Sequence, residues 1–404
     1  MPSEHALLSA SSSHKWLHCP PSARLEAEKP DQTSEYAREG SLAHSICELK
    51  LQKTFIEKGM TTRQFNTRMN KLKKDPLYKP EMENNTEEYL DHIKQIAYSF
   101  QTPPMVVAEK RVDYSKWAPE GFGTSDCILI GGTELHVVDY KNGKGVMVSA
   151  YDNPQMKLYA LGAYDAYGFL FPIHKVVLHI VQPNLNNISS FELSLEELLA
   201  WGEKIKPIAQ LAYEGKGDFC QGEWCDKCFC KLNATCRKRM EDNMEVMKDA
   251  TEEDTGKPKL PAEISTEEIG AILKRARFLE NWVKKLKKFA LDALVAGKEI
   301  PGWKIIEGRS NRVIKDKDAA VKAILDAEYE EAVIYKPREM VALGELEKLL
   351  GKKDFEKYVG PYVEKPQGAP TLVPEDDRRP AMKIRPSAEE AFGGENKYNN
   401  TEVQ

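Results

Sequence analysis

The segment Val137-Val138-Asp139-Tyr140-Lys141 ends a β-rich run with an acid and a lysine two residues apart. Alternate side chains on a strand share one face at about 6.6 to 6.8 Å, so Asp139 and Lys141 project together while Val138 and Tyr140 face the other way. A carboxylate can hold a divalent cation, and an ammonium beside it can orient or deprotonate an attacking water, which is what phosphodiester hydrolysis requires. The same pair also suits a solvated strand face. Gly123-Thr124-Ser125-Asp126 opens the preceding strand, and a hairpin through Gly131-Gly132 brings Asp126 close to Asp139. Two acids at one end of a sheet repel unless a cation lies between them, although Asp after Gly also ends many turns.

Further residues can complete such a site. His44 stands beside the apolar stripe of its helix, two residues from Leu42 and from Ile46, where surface histidines are also common. Glu109 is an acid inside an otherwise apolar strand: a ligand, a partner for Lys141, or an edge-strand charge. Gln155 and Tyr159 lie four apart and share a helix face, where an amide and a phenol can position a phosphate or simply border the apolar side.

The elements that must carry these residues follow from hydrophobic period. Helices are expected over Ser9 to Cys19, Ser34 to Gly59, Arg63 to Lys74 and around Leu90 to Phe100. The period becomes two from Met105, with strands at Met105–Val112, Thr124–Ile130 and Glu134–Lys141. A helix over Asn153–Tyr167, a buried strand at Lys175–Val181 and a helix over Ser194–Gly215 follow. This order describes an α/β core with a small mixed β-sheet flanked by helices. Residues 1–239 form that core, 240–264 read as a charged linker, and 265–363 as a mostly helical C-terminal unit. The unit opens with the capping box Ser265-Thr266-Glu267-Glu268 and includes a short β segment at Trp303 to Ile306. Residues 364–404 have the composition of a disordered tail.

Composition narrows the function classes. The 404 residues are 41% hydrophobic and 30% charged, which excludes a wholly disordered or fibrous chain. No apolar run is long enough to span a bilayer, and Met1 to Ser13 lacks the order of a secretory signal, so a cytoplasmic location is expected. With a net charge of −5, nucleic acid can be met only through a local basic surface. Arg63, Arg68, Lys71, Lys73 and Lys74 form one such stretch. Lys274, Arg275, Arg277, Lys284, Lys285, Lys287 and Lys288, interleaved with Phe278 and Trp282, form another that suits single-stranded DNA or an ordinary solvated helix face. Five of the eight cysteines, Cys220, Cys225, Cys228, Cys230 and Cys236, fall within 17 residues. A reducing compartment favours metal or iron–sulfur ligation there over disulfides; Cys47 and Cys127 read as core residues.

Taken in order, Gly40-x-x-x-His44, Glu109, Gly123-x-x-Asp126, Asp139-x-Lys141 and Gln155-x-x-x-Tyr159 resemble the RecB-like branch of the PD-(D/E)XK nuclease superfamily. The resemblance spans about Ser9 to Arg239 and extends to an uncharacterised phage-type family of that branch. It implies a restriction-endonuclease-like core in which His44, Asp126 and Asp139, with the Tyr140 carbonyl, bind Mg²⁺ or Mn²⁺ while Lys141 assists the water beside Gln155 and Tyr159. Members related to AddB-type helicase-nucleases and CRISPR-associated exonucleases carry a [4Fe–4S] cluster on one leading cysteine and a C-x2-C-x5-C set. Cys19 matches the first; Cys225-x2-Cys228 and Cys230-x5-Cys236 each match half of the second, and Cys220 lies outside it. Zn²⁺ on the same thiolates is the alternative. The implied activity is metal-dependent cleavage of DNA, single-stranded or at duplex ends, alongside replication or recombination proteins. A DNA-binding or scaffold protein that keeps the fold but cleaves poorly is the alternative.

Overall fold

A computed structural model describes residues 6–30, 34–248, 266–306, 317–327 and 343–363. It is a mixed α/β structure built on one five-stranded sheet. Two compact units divide it, Met1–Lys352 and Lys353–Gln404. In the second, the described residues hold most of a helix over Lys352–Tyr358 and a 3₁₀ turn at Gly360–Tyr362.

The first unit begins with a 3₁₀ turn at Ala10–Ser12 and two short helices, α1 (Ser13–His18) and α2 (Ser22–Ala27), separated by Cys19-Pro20-Pro21. α3 (Glu35–Leu51) starts where Ser34 Oγ accepts from the Ala37 N–H. Its α-helical part is shorter than the Ser34 to Gly59 run expected, because the chain continues as a π-helical turn over Gln52–Ile56. α4 (Thr62–Leu72) opens with a reciprocal Thr61/Gln64 capping box, and α5 (Glu81–Ser99) follows. The sheet comprises β1 (Met105–Asp113), β2 (Phe122–Gly131), β3 (Glu134–Tyr140), β4 (Lys175–Gln182) and β5 (Asn187–Ser194), in that spatial order.

β1, β2 and β3 form the expected antiparallel meander. α6 (Pro154–Tyr167), capped by Asn153 and with Pro154 at its first position, crosses over so that β4 pairs parallel to β3. β5, antiparallel to β4, was not expected. Its burial alternates at every residue between half-buried or buried and exposed positions, as befits an edge strand with one solvated face. α7 (Leu195–Glu214) then begins with a Ser194/Glu197 capping box.

Alternation sorts the sheet into two faces. Ile128, Ile130, Leu135 and Val137 pack with α6, α7 and the N-terminal helices, whereas Cys127, Leu129, Val138 and Tyr140 pack with α3 and α5. Cys47 and Cys127 are core residues, as their sequence setting suggested.

Three expectations are corrected beyond the sheet. Met240 to Lys248, the first part of the expected linker, belongs to helix α9 (Arg237–Lys248), which follows the single turn α8 (Trp224–Lys227). The compact unit does not stop at Arg239 either. It includes α10 (Thr266–Val295), because Trp282, buried on that helix, donates its indole N–H to Ala234 O at 3.1 Å. Trp303 to Ile306 form no strand, and Trp303, Ile305 and Ile306 are exposed. Ser265 and residues 364–404 lie outside the described residues.

A file of imidazoles crosses the α5 face of the sheet. His92 Nε2 lies 3.3 Å from His179 Nδ1, His179 Nε2 3.0 Å from His136 Nδ1, and His136 Nε2 3.1 Å from Glu134 Oε2, which also faces Lys175. Burial, reinforced by His136 and His92, pulls His179 from an ordinary 6.5 down to about 3. Burial lowers His136 and His92 as well. As pH falls below the ordinary imidazole range, the unfolded chain takes up protons that the native fold refuses. Stability from this file is therefore complete above about 6.5 and is lost as pH falls towards about 3. Thermal melts followed by circular dichroism should show the melting temperature falling through this window, and His179→Gln should flatten the fall. Parallel curves for the two proteins would assign the acid sensitivity to other groups.

Candidate metal and hydrolytic site

β1, β2 and β3 deliver three carboxylates to one end of the sheet, and α3 and α6 approach that end from opposite faces. The β2–β3 register runs from Gly131↔Glu134 to Cys127↔Val138, leaving Asp126 and Asp139 next along the two strands. Asp126 Oδ2 accepts from the Tyr140 N–H at 2.7 Å, a bond that fixes the carboxylate against the neighbouring strand. Asp126 and Asp139 are both buried.

From α3, His44 Nδ1 reaches Asp126 Oδ1 at 3.3 Å and Glu109 Oε1 at 3.9 Å. The His44 ring rests edge-on against Tyr140, which in turn meets Tyr89 of α5. Glu109 has a φ of 45° and is the residue of β1 where the otherwise continuous pairing with β2 lapses. A glutamate in the left-handed region is strained backbone, and here it turns an edge-strand acid towards two other ionisable groups. Of the three roles open to Glu109 in sequence, the structure places it beside His44 and Asp126. Among the described residues, one ligand atom each from His44, Glu109 and Asp126 come within 4.8 Å of one another.

From the other face, Lys141 Nζ lies 2.9 Å from Asp139 Oδ2 and 3.3 Å from Gln155 Oε1. Gln155 Nε2 lies 3.3 Å from both Asp139 Oδ1 and Tyr159 OH. The shared strand face of Asp139 and Lys141 and the shared helix face of Gln155 and Tyr159 thus meet in one network. Gly123 makes room for it, since a Cβ there would stand 2.8 Å from Tyr159 Cε1.

The electrostatics are those of crowded, buried acids. Burial raises Glu109, and Asp126 adds to it, pushing the carboxyl up to about 8. Burial also raises Asp139 against the pull of Lys141. For Asp126 burial is outweighed by the His44 charge, with the Tyr140 amide and Lys141, so it stays below the ordinary carboxylate range. Burial works against a charged His44, but Asp126 and its neighbours lift it to about 9. Lys141 is likewise raised by Asp139 and Asp126 despite burial. Asp139 Oδ2 is buried with the Lys141 ammonium 2.9 Å away as its partner. Oxygen donors gathered this closely, two of them pushed towards protonation, fit a hard divalent cation.

A second cluster lies between the N-terminal helices and the segment after α7. Cys19, Cys220, Cys225, Cys230 and Cys236 line one cavity. The structure therefore brings the leading Cys19 to the downstream thiols and adds Cys220, which the sequence pattern had left out. Cys228 does not line the cavity; its Sγ lies 3.9 Å from His14 Nδ1. Burial raises the Cys19, Cys225 and Cys230 thiols, which keeps them protonated unless a bound cation stabilises the thiolate.

The basic helices are less open than their sequences suggest. Arg68 pairs with Glu57, Lys73 with Glu83 and Lys284 with Glu280. Trp282 serves packing and is closed to base stacking.

Two measurements test this geometry. Mn²⁺ should raise the melting temperature of the wild type, by the equivalent of about 2.7 kcal/mol at a hundredfold excess over Kd, and Asp126→Asn should remove most of the rise. Equal rises would place the ion elsewhere. Gly123→Ala should cost about 1 to 3 kcal/mol in urea unfolding, because the added methyl must displace the Tyr159 ring; no loss would mean that the ring yields freely.

A solved structure entitled "Crystal structure of SSO0001" matches 56% of this chain and 96% of its own, at 11% identity and a TM-score of 0.23, too low a likeness to carry an argument. A family model described as "Protein of unknown function (DUF2800)" matches residues 5–380. With nearly the whole length matched, the chain belongs to the DUF2800 family.

Proposed function

We propose that this protein is a metal-dependent DNA nuclease of the RecB-like, PD-(D/E)XK kind, acting on single strands or at duplex ends. The observation that carries the reading is the meeting of His44, Glu109 and Asp126 with Asp139, Lys141, Gln155 and Tyr159 at one end of the sheet. Each motif taken alone has an ordinary structural explanation. A solvated strand face, a turn acid, a surface histidine and an amphipathic border have no common reason to meet.

His44, Glu109, Asp126 and Asp139 would hold Mg²⁺ or Mn²⁺, which when bound polarises the phosphate and lowers the pKa of a water. The protein's own part is positional. Lys141 is held charged by Asp139, so it acts as a donor that orients the water and faces the developing charge on phosphate. Gln155 bridges Lys141 and Asp139 and keeps the pair from collapsing into solvent-dependent rotamers. Tyr159 braces Gln155 from the next turn of α6. For the cysteines we favour a [4Fe–4S] cluster of structural role over Zn²⁺. The support is that Cys19, remote in sequence, shares a cavity with the downstream thiols, as a group that staples the N-terminal helices to the end of the core requires.

Labelled single- and double-stranded DNA incubated with Mg²⁺ or Mn²⁺ should be cleaved by the wild type. Asp139→Ala and Lys141→Ala should each reduce the rate about a hundredfold or more. Absence of metal-dependent cleavage by the wild type on every substrate would favour a DNA-binding scaffold. Full activity in Asp139→Ala would remove the site assignment.

A further inference from the structure

The wall of the cysteine cavity contains hydrogen-bond donors that the protein does not use. Arg239 lines the cavity and is 1% exposed. Its two terminal nitrogens fork onto Asp226, Nη1 to Oδ1 at 3.2 Å and Nη2 to Oδ2 at 2.8 Å, while Nε has no partner. Ser22 also lines the cavity, is 3% exposed, and has no partner for Oγ. Its backbone N–H is already engaged with Cys19 O at 3.0 Å. Buried donors left unpaired are costly, and native structures rarely tolerate them without an acceptor from a ligand or water.

The acceptor has to be something the cavity is built to take. Five thiols line the same wall, and metal-bound thiolates and sulfides accept hydrogen bonds from N–H and O–H donors around them. Lys15, also buried on this wall, reaches Glu26 Oε2 at 2.5 Å and Cys228 O at 3.2 Å.

We propose that Arg239 Nε–H and Ser22 Oγ–H are reserved for the sulfur atoms of a metal–sulfur group held by this cavity, fixing the group and raising its reduction potential. The inference rests on the iron–sulfur reading of the cysteines. Reduction adds an electron to an already negative group, and a donor aimed at sulfur or a nearby positive charge stabilises the added charge. Both residues supply a donor, the Arg239 charge being matched by Asp226. They are positioning residues, acting on the group through its ligands.

The test uses the full chain reconstituted anaerobically with ferrous iron and sulfide, as wild type, Arg239→Lys and Ser22→Ala. Arg239→Lys keeps the charge and can still pair with Asp226 while removing Nε–H. Titration with dithionite, followed at the visible band, should give more negative midpoint potentials for both variants. The band should also decay several-fold faster under an iron chelator. Ser22→Ala, a deletion of one oxygen, carries the test if Arg239→Lys fails to fold by circular dichroism, and a folded variant that takes up no cluster supports the inference. Wild-type potential and decay in both variants would overturn it and leave the cluster standing. A wild type that takes up no chromophore and holds stoichiometric zinc would overturn both.

Discussion

The need to neutralise carboxylates inside the end of a β-sheet organises this protein. Asp126 and Asp139 are buried on adjacent strands, and Glu109 is turned towards them at a strained backbone position. Charge buried without compensation would be more costly than the surrounding packing could offset. Three of the elements around the site contribute compensating groups. α3 brings His44, β3 brings the Tyr140 N–H and Lys141, and α6 brings Gln155. The positive charge on His44 satisfies the acids in this arrangement, and a divalent cation on the same residues would do so while releasing the imidazole as a neutral ligand.

The cysteine cavity solves a related problem at another place. α1 and α2 are six residues each, too short to be stable alone. Arg24 donates to Tyr213 O, and Lys15 and Lys231 reach across between these helices and the cysteine segment, so the two ends of the core are tied by polar contacts as well as by the shared cavity. Beyond it, Trp282 anchors α10 to Ala234. The consecutive connections explain why the compact unit continues past the point where charge alone would end it.

Much of the site could be read from local period. Residues two apart on a strand and four apart on a helix must share a face, so Asp139 with Lys141 and Gln155 with Tyr159 follow from spacing. The crossover that lays α6 over β3 follows from the order of elements. What could not be read is direction at irregular positions. The φ of Glu109, the π-helical turn after α3 and the exchange of Cys220 for Cys228 at the cavity have no periodic signal. β5 was missed because its residue types do not follow its faces, with Asn187 and Ser189 on the more buried side and Ile188 exposed, and Trp282 was ambiguous because a buried indole and a stacking platform have the same local pattern.

The sequence by itself determined which residues can do chemistry here and which neighbours share their faces, because helix and strand geometry are set by the local chain. Only the tertiary structure decided which faces meet. Glu109 joins His44 and Asp126, Gln155 joins Lys141 to Asp139, and Arg239 and Ser22 share with the thiols the wall of one cavity. These are contacts between segments tens to hundreds of residues apart, set by packing of the two sheet faces and by the cost of leaving buried polar groups unmatched.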